Sequence, residues 1–199
     1  MPSLNRWLPL LILALAACLL LAPPAPALSQ TPPSLRFAPD RLTLDQGATG
    51  VVEVQAQGVQ DLASFEVDLT FDPTVVAVER VERVIGTDAQ PTPNRTWVSL
   101  PTDSSAGFIQ LGAGRIALGG FSYGVDNPPG ATGDVTLARL TLRGVSGGES
   151  SLTLPRALLT DTQAQPTTPT VGAAVVAVKG QAFSLFLPYI IAGQPLPLP

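Results

Sequence analysis

Between Ser64 and Phe71 the chain alternates polar and apolar side chains without exception, and Asp72-Pro73 stops the run. A period of two puts Phe65, Val67, Leu69 and Phe71 on one side of an extended strand and Ser64, Glu66, Asp68 and Thr70 on the other. Proline offers no N–H to a ladder, so the strand is expected to end where the pattern ends. Such a strand needs a second layer over its apolar side and is expected to leave its carboxylates in water.

The same period recurs along the chain. Val52, Val54 and Ala56 alternate with Glu53, Gln55 and Gln57; Ala138, Leu140 and Leu142 with Arg139, Thr141 and Arg143; Leu152 and Leu154 with Ser151 and Thr153. Gly112-Ala113-Gly114 separates two short runs as a hairpin turn would. Asp126-Asn127-Pro128-Pro129-Gly130 reads as a loop and Gly147-Gly148 as a tight turn. Val75, Val78, Val81 and Val84 fall three apart, as on one face of a short helix, but their branching at Cβ favours an irregular strand. No amphipathic pattern lasts beyond two helical turns. Short strands with frequent turns indicate an all-β sandwich or jelly roll.

With 199 residues, the expectation is one domain plus a leader and a tail. Residues 1–27 read as a secretory signal: Arg6 supplies the positive start, residues 7–22 are uncharged, and Ala25-Pro26-Ala27 offers small residues for cleavage after Ala27. The uncharged run is about 16 residues, short of the about 20 that a membrane span needs. Leu15-Ala16-Ala17-Cys18 also resembles a bacterial lipobox, which would make Cys18 a lipidated N-terminus. Either reading places the domain outside the cytoplasm, and only lipid on Cys18 would tie it to a membrane. A Pro-rich spacer over 28–34 leads into the β-rich segment 35–179, and an apolar, Pro-rich tail follows over 180–199.

What is missing narrows the chemistry. The chain has no histidine, and its one cysteine lies in the leader. The domain beyond the leader therefore has no disulfide, thiol nucleophile, imidazole base or Cys/His zinc site. Eleven basic against fifteen acidic residues give a net charge of −4. The nearest basic cluster, Arg80 and Arg83, is interrupted by Glu79 and Glu82, so nucleic acid is not an expected partner.

The order of segments resembles the cohesin family. Leu62-Ala63-Ser64-Phe65-Glu66-Val67-Asp68-Leu69-Thr70-Phe71-Asp72-Pro73, followed by Val75-Val76-Ala77-Val78, is similar to its F-x-V/L-x-L-x-F/Y-D-P strand and the V-L-x-V segment after it. Asp45-Gln46-Gly47 resembles the acidic-Gly turn before its second strand. Residues 114–124 resemble its I-x-L-x-F strand, and Gly133-Asp134 with 137–142 its G-x-L-x-x-I-x-F strand. Residues 172–178 resemble its closing G-x-V-x-V strand. The likeness spans about residues 35–179 and implies a jelly-roll sandwich of about nine strands. It further implies a non-catalytic, extracellular module that docks a dockerin-type protein and needs no cofactor. Because the fold is related to cellulose-binding modules, a carbohydrate-binding module with a polysaccharide partner is the alternative. The motifs carry no dockerin-contacting residue across one by one.

Several residues are candidates for chemistry or binding. Glu66 and Asp68 share a strand face about 7 Å apart, a spacing open to a glycosidase pair, though a solvated strand face looks the same. Asp126, Asn127 and Asp134 carry oxygens of the kind calcium takes, against a plain Asx-stabilised turn. Trp97 and Tyr123 are the candidate exposed aromatics for binding. Trp97 follows a polar loop and reads rather as a core anchor, whereas Tyr123 borders the loop over 124–133 and is the better candidate for an exposed ring. Tyr189 lies in the tail. Asn94-Arg95-Thr96 fits an N-glycosylation sequon that a bacterial-type leader makes coincidental. The tail residues 183–191 are apolar but too short to span a bilayer; they suit surface retention or cover for a sheet edge.

Overall fold

The computed structural model describes residues 32–102 and 104–180, and every regular element among them is a strand. In chain order these are β1 (Ser34–Ala38), β2 (Arg41–Asp45), β3 (Thr49–Thr70), β4 (Val76–Arg83), β5 (Thr96–Leu100) and β6 (Ile109–Gly112). There follow β7 (Arg115–Tyr123), β8 (Ala131–Gly144), β9 (Gly148–Asp161), β10 (Pro166–Thr167), β11 (Thr170–Val171) and β12 (Ala174–Lys179). The leader, the tail and Tyr189 lie outside the described residues, as do the processing candidates Cys18 and Ala27.

Two runs that read as separate strands form one element, the 22-residue β3. No proline interrupts them; instead Gly58 and Asp61, with φ of 63° and 55°, bend the strand without ending it. The first part of β3 pairs with β1 and β8, and its second part with β7 and β9. The ladder to β8 shifts register between Ala56 and Leu62, so the strand changes layer at its bend. One layer runs β11-β1-β3-β8-β4; the other runs β12-β9-β3-β7, with β5 and β6 end to end along the far edge of β7. This is a jelly-roll β-sandwich.

The twelve strands exceed the expected nine or so for local reasons. Pro39 divides the first strand: β1 stays beside β3, while β2 pairs in parallel with β12. The outer edge of β7 is shared between β5 and β6, and β10 and β11 are two-residue ladders. The irregular strand favoured over Val75 to Val84 forms as β4, in place of the helical face that the spacing also allowed. That strand carries an irregularity between Val78 and Arg80, so the extra residue Glu79 shifts the alternation. The hairpin at Gly112 to Gly114 forms as expected between β6 and β7.

Alternation fills the space between the layers. Phe65, Val67 and Leu69 from one half of β3 meet Val52, Val54 and Ala56 from the other half, with Leu140 and Leu142 of β8 and Leu152 of β9. Each such side chain taken fully out of water contributes about 1.5–3 kcal/mol. Asp72 ends β3 by accepting bonds from the Thr74 N–H and hydroxyl at 2.8 and 2.6 Å, an Asx turn that seats Pro73.

Candidate docking face

The second half of β3 turns Ser64, Glu66, Asp68 and Thr70 away from the core. Across the ladder to β7 these stand opposite Phe121, Gly119, Ala117 and Arg115. On their other side, β9 sets Thr160 beside Ser64, Leu158 beside Glu66 and Arg156 beside Asp68. Beyond β7, Val98 faces Phe121, Leu100 faces Gly119, and Ile109 faces Ala117. Topology thus gathers Val98, Leu100, Ile109, Ala117, Phe121 and Leu158, drawn from four strands, onto one outer face.

Much of this apolar surface is in water. Ile109 is 49% exposed, Phe121 40% and Tyr123 57%. Leu111 on β6 and Val125 just beyond β7 add to it, so five of the seven exposed large apolar side chains among the described residues lie on or next to these strands. A contiguous apolar patch on a folded surface marks an interaction site far more often than scattered aliphatics do.

The patch has a floor and a charged border. A cleft of about 230 Å³ runs between Leu100, Ile109 and Gly119 on one side and Glu66, Asp68 and Arg156 on the other. Gly119 forms part of its base: a Cβ there would come 2.7 Å from the Phe65 carbonyl oxygen, so the backbone stays bare. Arg156 donates to Glu66 at 3.1 Å, with both side chains more than half exposed. Arg115 donates to Asp68 at 2.6 Å.

The face corrects the expectation that both carboxylates would be solvated. Glu66 is exposed, but Asp68 is 5% exposed, because the Arg115 side chain lies over it. Each carboxylate is held by a guanidinium, an arrangement suited to fixing charge on a surface rather than to paired acid and base work.

The aromatic candidates separate. Tyr123 stands on the rim of the patch, two residues from Phe121 and on the same side of β7. Trp97 is only 6% exposed, which removes it as an exposed platform. Its ring packs 6.3 Å from that of Phe65, and its indole N–H donates to the Thr92 hydroxyl at 2.8 Å. It anchors the core beneath the patch.

Two of the three oxygen-bearing candidates, Asn127 and Asp134, are engaged within the protein. Asp134 accepts from the Gly58 N–H at 2.9 Å. Asn127 accepts from Arg95 at 3.4 Å and donates to the Thr162 carbonyl at 3.3 Å. Asp126 and Asn127 both adopt positive φ in their turn. Among the described residues no three acidic, His or Cys side chains converge as metal ligands would. Asn94 of the sequon occupies a turn at φ 60°.

Sequence reasoning missed Arg95, which ties this loop to β7. It donates to the Ser122 hydroxyl at 2.8 Å, to the Ser122 carbonyl at 3.0 Å and to the Pro128 carbonyl. Only the sequon spacing drew attention to that tripeptide. The six apolar residues of the face were equally hidden: the β6–β7 hairpin is local, but β5 and β9 join it from separate stretches of sequence.

No family sequence model and no curated protein matches the chain. Solved structures do match, cohesin modules among them. The non-cellulosomal cohesin of Archaeoglobus fulgidus aligns over 74% of this chain and 91% of its own at 17% identity, with a TM-score of 0.54. The CaCohA2 module of Clostridium acetobutylicum aligns over 77% and 94% at 16% identity, with a TM-score of 0.56. The sixth cohesin of scaffoldin B from Acetivibrio cellulolyticus, crystallised with the Cel5 dockerin, aligns over 75% and 100% at 14% identity, with a TM-score of 0.54. At such identities the likeness shows the fold: this chain has a cohesin-like jelly roll.

Proposed function

We propose that the chain is a non-catalytic docking module outside the cell, and that the outer face of β9, β3, β7, β5 and β6 receives a dockerin-type protein. The observation that carries the reading is the apolar patch around Ile109 and Phe121, exposed on a sheet whose core side is already filled. Several cohesins of similar fold are known in complex with dockerins, which supports the class of partner. The leader over 1–27, cleaved after Ala27 or lipidated at Cys18, supports a place at the surface or in the medium. The guanidinium partners of Glu66 and Asp68 favour binding over catalysis.

A partner burying a standard interface would cover about 800 Å² of this protein and place its best anchors near the centre. The cleft beside Gly119 suits an apolar side chain, and the Arg156–Glu66 and Arg115–Asp68 pairs offer charge at its border. Titration calorimetry against dockerins tests the reading, the Cel5 dockerin among them. Saturable binding that Ile109→Asp removes supports it; binding indifferent to that change, or no binding by any dockerin, contradicts it.

A carbohydrate-binding reading has one observation in its favour. Phe121 and Tyr123 present two exposed rings on one side of β7, about 7 Å apart by strand rise. Retardation on cellulose or xylan gels, lost in Tyr123→Ala, would favour that reading over docking.

A further inference from the structure

The side of the sandwich between β4 and β5 holds a cavity of about 500 Å³, larger than the cleft on the docking face. Both layers line it, with Arg80 and Arg83 from β4, Ser99 from β5, and Thr87 and Ser105 from the neighbouring loops. Arg83 is the unusual member. Past the irregularity at Glu79, β4 turns Val81 inward, and Arg83 takes the next inward position. Its stem reaches the buried Gly120, where an added Cβ would come 3.2 Å from the Arg83 Cδ.

The Arg83 guanidinium bridges the two layers. Its Nε donates to the Ser99 hydroxyl at 3.1 Å, Nη2 to the Trp97 carbonyl at 3.3 Å, and Nη1 to the Ile85 carbonyl. All three acceptors are neutral. Among the described residues no carboxylate lies within ion-pair distance of it, whereas Arg80 has Glu82 at 3.0 Å and Arg139 has Glu53 at 3.0 Å. Burial pushes the Arg83 pKa down, so its charge is poorly served by solvent. A guanidinium has five N–H groups, and three are used here, leaving two for something else.

An apolar side chain at this inward position would cost less than a charge with neutral partners only. The cavity beside it sets the hydroxyls of Thr87, Ser99 and Ser105 among apolar side chains such as Phe65 and Leu118, and its size is one that small-molecule sites share, roughly 300–1,000 Å³. It exceeds what a lone inorganic anion would occupy. We propose that this cavity binds a small, hydroxyl-rich molecule bearing an oxyanion, such as a sugar unit with a carboxylate or sulfate group. The anion takes the free N–H groups of Arg83, and the hydroxyls of Ser99, Thr87 and Ser105 meet those of the ligand. Glu82 at the rim opposes entry of the anion. The inference does not depend on docking by the other face.

The test is a titration of the full chain with glucuronate, glucose and sodium sulfate at constant ionic strength. The Arg83 Nε–Hε resonance and the Ser99 and Thr87 amides are followed by NMR. Glucuronate and sulfate are expected to shift these signals saturably, with dissociation constants of about 1–10 mM, glucuronate binding the tighter and glucose not at all. Arg83→Lys should weaken binding about tenfold, because lysine cannot reproduce the fork. Because Arg83→Lys also gives up bonds that hold the two layers together, Glu82→Gln is the second probe, expected to tighten anion binding about twofold or more. Absence of a saturable shift, an equal response to glucose, or affinity unmoved by Glu82→Gln would overturn the proposal and leave Arg83 a strut between two strands.

Discussion

The two halves of β3 carry the same alternation yet build opposite kinds of surface. In the first half, Glu53 faces Arg139 across the ladder and pairs with it at 3.0 Å, Gln55 accepts from Arg36 at 3.1 Å, and Arg143 on β8 meets Glu79 on β4 at 2.6 Å. That layer answers its own charges and shows one exposed large aliphatic on this strand, Val51. In the second half, the strand's polar residues border an apolar field supplied by β5, β6, β7 and β9. A surface that satisfies itself has no need of a partner, whereas one that leaves Ile109 and Phe121 in water gains by being covered. The difference lies in the neighbours that topology assigns to a strand, since the pattern of the strand itself is the same.

Substitutions can break this contrast, and the largest effect is expected beneath it. Phe65 underlies the apolar face and packs on Trp97. Phe65→Ala should cost about 3–5 kcal/mol in urea unfolding and weaken docking through loss of the floor. Phe121→Asp should cost about 2 kcal/mol or more of binding, near thirtyfold, with little change in Tm because the ring is exposed. Asp68→Ala, which frees Arg115 and empties a buried position, should destabilise by about 1–3 kcal/mol. On the self-paired layer, the double change Glu79→Ala with Arg143→Ala should move stability by less than about 1 kcal/mol and leave docking unaltered.

A pH series sharpens the same contrast from the charged side. The hydrogen bond from Arg139 holds the Glu53 carboxyl below its usual value of 4.5, with Gln55 and Thr136 assisting against the cost of burial. A lowered folded pKa means that the native state favours the ionised form, so the contribution is full above the unfolded value and is lost as pH falls through the folded one. The Tm of the wild type should therefore drop on acidification below about pH 4.5, and Glu53→Gln should flatten that drop. The slope measured by calorimetry across pH 3–6 checks it, on the order of a few tenths of a kcal/mol for an exposed pair.

The alternating runs over 52–57, 64–71 and 138–143 were legible because a period of two needs only local sequence. The jelly roll followed from their order. The joining of two runs into β3 was not legible, since it rests on ladders to distant strands that continue on either side of the bend at Gly58 and Asp61. β5 was missed because Thr96 to Leu100 mixes a buried Trp97 with half-exposed neighbours. The inward place of Arg83 depends on the irregularity at Glu79, and the burial of Asp68 on an arginine 47 residues away. Ile109, Phe121 and Leu158 are unremarkable where they stand in the sequence, and only pairing through β7 and β3 makes them neighbours. Local pattern fixes which side of a strand is dry; long-range pairing decides which wet side is left apolar.

The central claim is that the apolar layer, and not the charge-paired one, is the docking face. Backbone amide shifts of the labelled chain, recorded with and without a saturating dockerin, test it most directly. The account predicts perturbations concentrated in 96–100, 109–123 and 156–160, with the β4 and β8 amides of the opposite layer unchanged. A footprint centred on Glu79, Arg139 and Arg143 would contradict it.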